Sequence, residues 1–255
     1  MQKLKLEIKN KLTQALRSKF ENYKPESVSM PFHTRLLGKD RMALYSFIQS
    51  LNTNFGTSIF EPVAELLAKS RFDKVEKQKD AGGTISKNAQ RAIQDIMDNL
   101  ESANTKPNKN EEIAKILEVA NSGETSSIKP TKIDLFLQKD NNVYLIDIKT
   151  AKPNKGGFKE FKRTLLTWVA TYAYTDSNNK NINTLIAIPY NPYEPKPYQR
   201  WTMAGMLDLK AELKVAEEFW DFLGGSGSYN MLLEAFEEVG IEIREEIDNY
   251  FKRFK

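Results

Sequence analysis

Three residues near the middle of the chain have the types and spacing to hold a divalent cation beside a phosphate. They are Asp134, Asp147 and Lys149, within TKIDLFLQKDNNVYLIDIKTAKP (131–153). The stretch alternates in steps of two and is rich in Ile, Leu, Val, Phe and Tyr, which predicts a β-hairpin with a polar turn at Lys139-Asp140-Asn141-Asn142. If Asp140-Asn141 is a two-residue turn, Gln138 faces Val143, Phe136 faces Leu145 and Asp134 faces Asp147. All then share one side of the sheet with Lys149. Facing carboxylates have Cβ atoms roughly 5 Å apart and repel unless something offsets their charge. A divalent cation does so, and two carboxylates plus waters suit Mg²⁺. The Ile148 carbonyl can add an oxygen, and Lys149 can hold a water or stabilise charge on a phosphate. An odd-length loop would flip one strand and separate the aspartates.

The bare pattern is weak. Glu7-Ile-Lys9, Glu160-Phe-Lys162, Asp208-Leu-Lys210 and Glu212-Leu-Lys214 repeat it. Context separates the hairpin copy, because Asp134 and Asp147 each interrupt an apolar run where an unpaired charge is costly. The competing reading is a pair of edge-strand carboxylates facing solvent. Upstream, Glu61 and Glu65 lie one turn apart on a predicted helix, and Glu61 is the candidate to join the site. The other reading makes Glu61 a solvated first-turn glutamate complementing the helix dipole. Downstream, TAKPNKGGFKEFKR carries Lys152, Lys155, Lys159, Lys162 and Arg163 against Glu160 alone. A basic helix beginning beside such a site is placed to grip phosphates. In NPYEPKPYQRW, Lys196 and Arg200 among tyrosines either reach into a groove or belong to packed filler.

Other elements must position these residues. Leu4, Ile8, Leu12, Leu16 and Phe20 predict a helix over 1–23, ended by Pro25. A second helix is expected at about 39–51. Gly56-Thr57-Ser58 reads as a turn and cap before a helix over about 59–71, with Pro62 tolerated in its first turn. Residues 74–86 read as a polar loop. Helices follow at 87–102 and 111–120, then the hairpin, a basic amphipathic helix at 157–174 and a strand at 184–190. The remainder, 203–255, reads as helical, and its many acidic residues are expected on the outer face or in a dimer contact. The expected organisation is one unit spanning 1–255. It has a helical part at 1–56, a core at 57–202 with a helical insertion at about 80–125, and acidic helices at 203–255.

Composition narrows the chemistry. The 255 residues contain no cysteine and one histidine. Thiolate chemistry is excluded, and a zinc site lacks ligands. Any Ser-His-Asp arrangement would depend on His33, which has no nucleophile motif nearby. The usual nucleotide-binding fingerprints, GxxxxGK[ST] and GxGxxG, are missing. Carboxylates, lysines and a hard cation are left as the tools. The net charge of +4 lends weak support to a polyanionic partner. No apolar run spans a bilayer and the N-terminus lacks a signal-peptide pattern, so no membrane association and an intracellular, cytoplasmic location are expected.

The order of helix with Glu61, strand with Asp134, strand with Asp147-Ile148-Lys149, basic helix and strand resembles the α/β, αβββαβ core of PD-(D/E)XK nucleases. Its sheet is mixed, with added helices at both termini. Ile133 stands where the family's proline usually precedes the first aspartate. RLLGKDRMALYSFIQSLNTNFGTSIFEPVA, KPTKIDLFLQKDNNVYLIDIKTAKPNKGGFKEFKR, NPYEPKPYQRW and EEFWDFLGG are similar to the TdeIII-type family of type II restriction endonucleases. That resemblance spans about residues 30–250. It implies Mg²⁺-dependent, sequence-specific cleavage of double-stranded DNA leaving 5′-phosphate ends. It also implies a homodimer, a cognate DNA methyltransferase and a short palindromic target of the GGNCC kind. Asp134, Asp147 and Ile148 would hold the metal, and Lys149 and Glu61 would complete the catalytic group. The alternatives are another nuclease of the same superfamily, for repair or structure-specific cutting, and a catalytically silent DNA-binding protein.

Overall fold

The sheet that carries the site owes its order to the hairpin. Leu135, Leu137, Leu145 and Ile146 are wholly buried, and each contributes roughly 1.5–3 kcal/mol by leaving water. The computed structural model describes residues 2–24, 30–149, 157–176, 181–198 and 201–253, without the side chains of Thr53, Asn54, Trp201 and Thr202. The hairpin strands are β4 (Lys132–Lys139) and β5 (Asn142–Ile148). They pair antiparallel from Leu135–Ile146 to Lys139–Asn142, in the expected register. Asp140 takes a left-handed φ of 51° at the turn, where Asp is tolerated better than most residues.

In chain order the elements before the hairpin are α1 (Gln2–Asn22), α2 (Pro31–Leu37), α3 (Lys39–Phe55), a π-helical turn (Gly56–Phe60) and α4 (Glu61–Ala68). Then come β1 (Lys74–Asp80), β2 (Thr84–Ser86), α5 (Lys87–Glu101), α6 (Lys109–Val119) and β3 (Thr125–Ser127). After it follow α7 (Gly157–Thr175), β6 (Asn181–Ile188), α8 (Trp201–Ala204), β7 (Leu213–Val215), α9 (Glu217–Gly224), α10 (Ser228–Glu242) and α11 (Arg244–Lys252). The main sheet runs β1-β4-β5-β6-β7, and β2 pairs with β3 apart from it. β1 and β5 are antiparallel to β4, whereas β5, β6 and β7 are mutually parallel.

Two apolar layers sandwich the sheet. Phe136, Val143 and Leu145 face α5, α6 and α7 through Ile93, Ile116, Leu165 and Val169. Leu135, Leu137, Ile146 and Ile148 face α1, α4, α9 and α10 through Ile8, Val63, Leu67, Phe219 and Leu232. Among the described residues no helix is long and apolar enough to cross a membrane.

Three expectations are corrected. Residues 74–86 are not a loop but contain β1 and β2. KVEKQKD forms the sheet's edge, where charged side chains replace alternation and protect an unpaired flank. Gly56-Thr57-Ser58 is no capped turn, because α3 passes through the π-helical turn straight into α4. The 203–255 segment contributes a fifth strand, β7. The acidic side chains of its helices lie on the outer face, one of the two expected placements, where Lys5 pairs with Glu234 and Glu238, Lys9 with Glu238 and Glu242, and Arg17 with Glu246.

Candidate active site

β4 and β1 lose their regular pairing at one place. Lys77 pairs with Leu135 and Lys79 with Ile133, but no pair joins Gln78 to Asp134. Gln78 there adopts a left-handed φ of 51°, a conformation costing of order 1 kcal/mol for a residue with a side chain. The face alternation of β4 breaks at the same point, for Ile133 and Phe136 both enter the α7-side core. The irregularity turns both side chains toward α4. Gln78 Nε2 donates to Glu61 Oε2 at 2.9 Å and to Asp134 Oδ1 at 3.2 Å.

Asp134 Oδ2 in turn accepts the Ile148 N–H at 2.8 Å. This ties β4 to the end of β5, where the ladder has stopped. Asp147 is 4% exposed and lies against Asp134. Burial first, and then the neighbouring carboxylate, push its carboxyl up to about 7, although Lys149 pulls the other way. Lys149 Nζ contacts Asp147 Oδ1 at 2.6 Å and sits 4.7 Å above the Phe161 ring of α7. Glu61, also 4% exposed, has its carboxyl raised by burial, partly offset by the Gln78 hydrogen bond. Glu65 lies outside this group, in ion pairs with Lys69 and Lys77.

The structure thus assembles Glu61, Asp134, Asp147 and Lys149 with Gln78 as a link. Gln78 escaped the sequence reading because β1 itself went unrecognised. Among the described residues no three carboxylate or histidine side chains converge closely enough to enclose a cation by themselves. The donor set is two adjacent carboxylates, one of them hydrogen-bonded to the backbone of Ile148. That fits Mg²⁺, which retains several waters and takes few protein ligands. The buried negative charge, only partly balanced by Lys149, is what such a cation would relieve.

The basic helix is a different matter. Lys162 is fully buried. Its ammonium pairs with Glu112 and, at 2.7 Å, with Glu212, so its assignment as a DNA contact is wrong. Lys159 is exposed and pairs with Glu101, and Arg163 is half-buried. Lys196 is exposed in a segment folded on itself, with the Tyr193 and Tyr198 rings 5.6 Å apart. Lys152, Lys155 and Arg200 lie outside the described residues. His33 is exposed on α2.

Comparison with known proteins agrees with this chemistry. The family described as "Type II restriction endonuclease, HinfI" matches residues 1–240. The type II restriction enzyme HgiCII of Herpetosiphon aurantiacus is 27% identical over 222 residues, covering 85% of this chain and 80% of the relative. The type II restriction enzyme MjaII of Methanocaldococcus jannaschii is 27% identical over 239 residues, covering 82% of this chain and 63% of the relative. HgiEI, also from Herpetosiphon aurantiacus, is 26% identical over 224 residues, covering 85% and 79%. With the match extending through both faces of the sheet and the carboxylate cluster, the chain belongs to the HinfI family of type II restriction endonucleases.

Proposed function

We propose that the chain is a Mg²⁺-dependent endonuclease that cuts double-stranded DNA at a short palindromic sequence, with Asp134, Asp147 and Lys149 at the cutting site. The observation that carries the reading is the buried Asp147 carboxyl set against half-buried Asp134 with Lys149 paired to it, in a chain of this family. The order α4, β1, β4, β5, α7, β6 supports a PD-(D/E)XK core of the αβββαβ kind. The stretches similar to TdeIII-type enzymes support a target of the GGNCC kind, with a homodimer and a cognate methyltransferase. The organisation proposed is a single nuclease unit, its core at 57–202 flanked by the terminal helices.

Asp134, Asp147 and the Ile148 carbonyl would hold Mg²⁺, which when bound supplies Lewis-acid stabilisation of a phosphate oxygen and a water of lowered pKa. Lys149 Nζ, fixed between Asp147 and the Phe161 ring, orients a water for in-line attack and offsets charge on the phosphate. The break leaves a 5′-phosphate and a 3′-hydroxyl. Glu61 acts from the far side of Gln78 as an acceptor for water. Arg163, Lys159 and Lys196 contact phosphates, as do Lys152, Lys155 and Arg200 on the strength of the sequence alone.

The test incubates plasmid with wild type, Asp134→Ala, Asp147→Ala and Lys149→Ala, with and without Mg²⁺. Sequence-defined fragments are expected from wild type with Mg²⁺ only. Full activity in both aspartate variants would overturn the proposal.

A further inference from the structure

The helical hairpin α2–α3 leaves uncovered an amount of apolar surface that the rest of the fold does not. α2 buries no residue of its own and packs principally against α3. Phe32 and Leu36, one turn apart on α2, are each 83% exposed, and Leu37, Leu44, Tyr45 and Ile48 are exposed by 43–48%. On α3 the opposite stripe, Met42, Ala43 and Phe47, is buried. The helix therefore has one apolar face in the core and a second facing outward. These six side chains present on the order of 600 Å², at the top of what a monomer ordinarily exposes in one patch. Elsewhere Leu6, Leu233 and Ile241 are exposed on α1 and α10, but that surface also carries the ion pairs of Lys5 and Lys9 with Glu234, Glu238 and Glu242.

We infer that the outer face of α2–α3 is the surface on which a second copy of this chain docks, forming a two-fold dimer. Three observations select that occupant. The exposed area approaches the ~800 Å² that each partner gives to a stable interface, with exposed His33 and Arg35 on the same helix to form a polar rim. The six side chains are uncharged, whereas surfaces that take DNA are polar and strongly basic. The described residues hold one Asp134–Asp147–Lys149 group, and a palindromic target cut in both strands is matched by two such groups related by a two-fold axis. This last argument rests on the double-strand cleavage proposed above.

Sedimentation equilibrium of the full chain, without DNA or divalent cation, tests the interface separately from cleavage. Wild type is expected to be a dimer at micromolar concentration. The double variant Phe32→Asp, Leu36→Asp should dissociate roughly 100-fold more readily or more, with unchanged circular dichroism because neither side chain is in the core. Leu233→Asp on α10 should remain dimeric. The proposal is overturned by a wild type that is monomeric throughout, or by a double variant as dimeric as wild type. In the latter case, weakened DNA binding by the same variant would assign the hairpin to DNA instead. A confirmed dimer that leaves plasmid intact would sink the nuclease reading while sparing the interface.

Discussion

The molecule buries charge in two places and treats it in opposite ways. Beneath α7, Lys162 and Lys109 lie with Glu112 and Glu212, all at most 6% exposed. The two cations match the two carboxylates. Lys162 bridges both glutamates, Lys109 donates to the Ala211 carbonyl, and Glu212 also accepts the Asp208 N–H. At the end of the hairpin, Glu61, Asp134 and Asp147 lie together with Lys149 paired to Asp147, Lys77 acting on Glu61 only at a distance, and neutral donors from Gln78 and the Ile148 N–H. The first group is complete within the protein. The second holds excess negative charge that its own residues do not neutralise. Burial of charge alone thus does not mark a functional centre; the sign left over does.

The largest effect expected from breaking this contrast is at Asp147. Asp147→Asn should reduce DNA cleavage roughly 10³-fold or more, since the metal contribution it supports is worth several kcal/mol. Urea unfolding without divalent cation should show stability unchanged or higher, because a buried excess charge is removed. A large loss of stability would place Asp147 in the self-compensated class.

Lys162→Ala should do the reverse. It leaves two buried glutamates without their cation and should cost about 3–5 kcal/mol in urea unfolding. Lys162→Met should cost less because it keeps the packing. The salt dependence of DNA binding should not change in folded Lys162→Met, as a buried lysine neutralises no phosphate.

How much of this was legible beforehand depended on whether a residue's neighbours were apolar. Asp134 and Asp147 stood out against Ile and Leu, and the polar turn fixed the hairpin register as far as Leu135–Ile146, although the ladder does not extend to the expected pairing of the two aspartates. The same logic, applied at helical spacing, would have placed Lys162 in the core: it falls on the stripe of Phe158, Leu165 and Val169. It was instead grouped by charge with Lys159 and Arg163. β1 was hidden because six of its seven residues, KVEKQKD, are polar. Its strand state comes from pairing with β4, a long-range interaction that overrides local preference. Gln78 was hidden with it, and no periodicity announces a left-handed residue in a strand. β7 is three residues long, too short for any pattern. The acidic run of α10 and α11 was visible, but its partners lie more than 200 residues away on α1.

Gln78→Ala sharpens the comparison at smaller scale. Removing the link between Glu61 and Asp134 should cost about 10–100-fold in activity or apparent Mg²⁺ affinity, as loss of a supporting hydrogen bond around a metal site does. The Mg²⁺ dependence of cleavage is the readout, and Gln78→Glu should fare worse because it adds a further negative charge. An unchanged Mg²⁺ profile in Gln78→Ala would mean that Glu61 stands apart from the site.

The smallest effect is expected on the exposed ion pairs between α1 and α10, a third and solvent-screened arrangement. Hydrogen bonds from Lys5 and Lys9 hold the Glu238 carboxyl down at about 2. A depressed carboxyl contributes above its ordinary value and stops contributing as pH falls through the folded one. The pair's small contribution should therefore fade between about pH 4.5 and pH 2. Acid titration of stability in Glu238→Gln should lack that component, and high salt should erase the difference from wild type.

The central claim is that the hairpin's unbalanced carboxylates are completed by a divalent cation. It is tested most directly by thermal unfolding of the DNA-free protein over a Mn²⁺ or Ca²⁺ titration, read for wild type, Asp147→Asn and Lys162→Met. A ligand that binds only the folded state raises its stability with concentration. Wild type and Lys162→Met should both gain stability along the titration, and Asp147→Asn should not. An equal response in Asp147→Asn and wild type, or none in wild type at millimolar cation, would contradict the account.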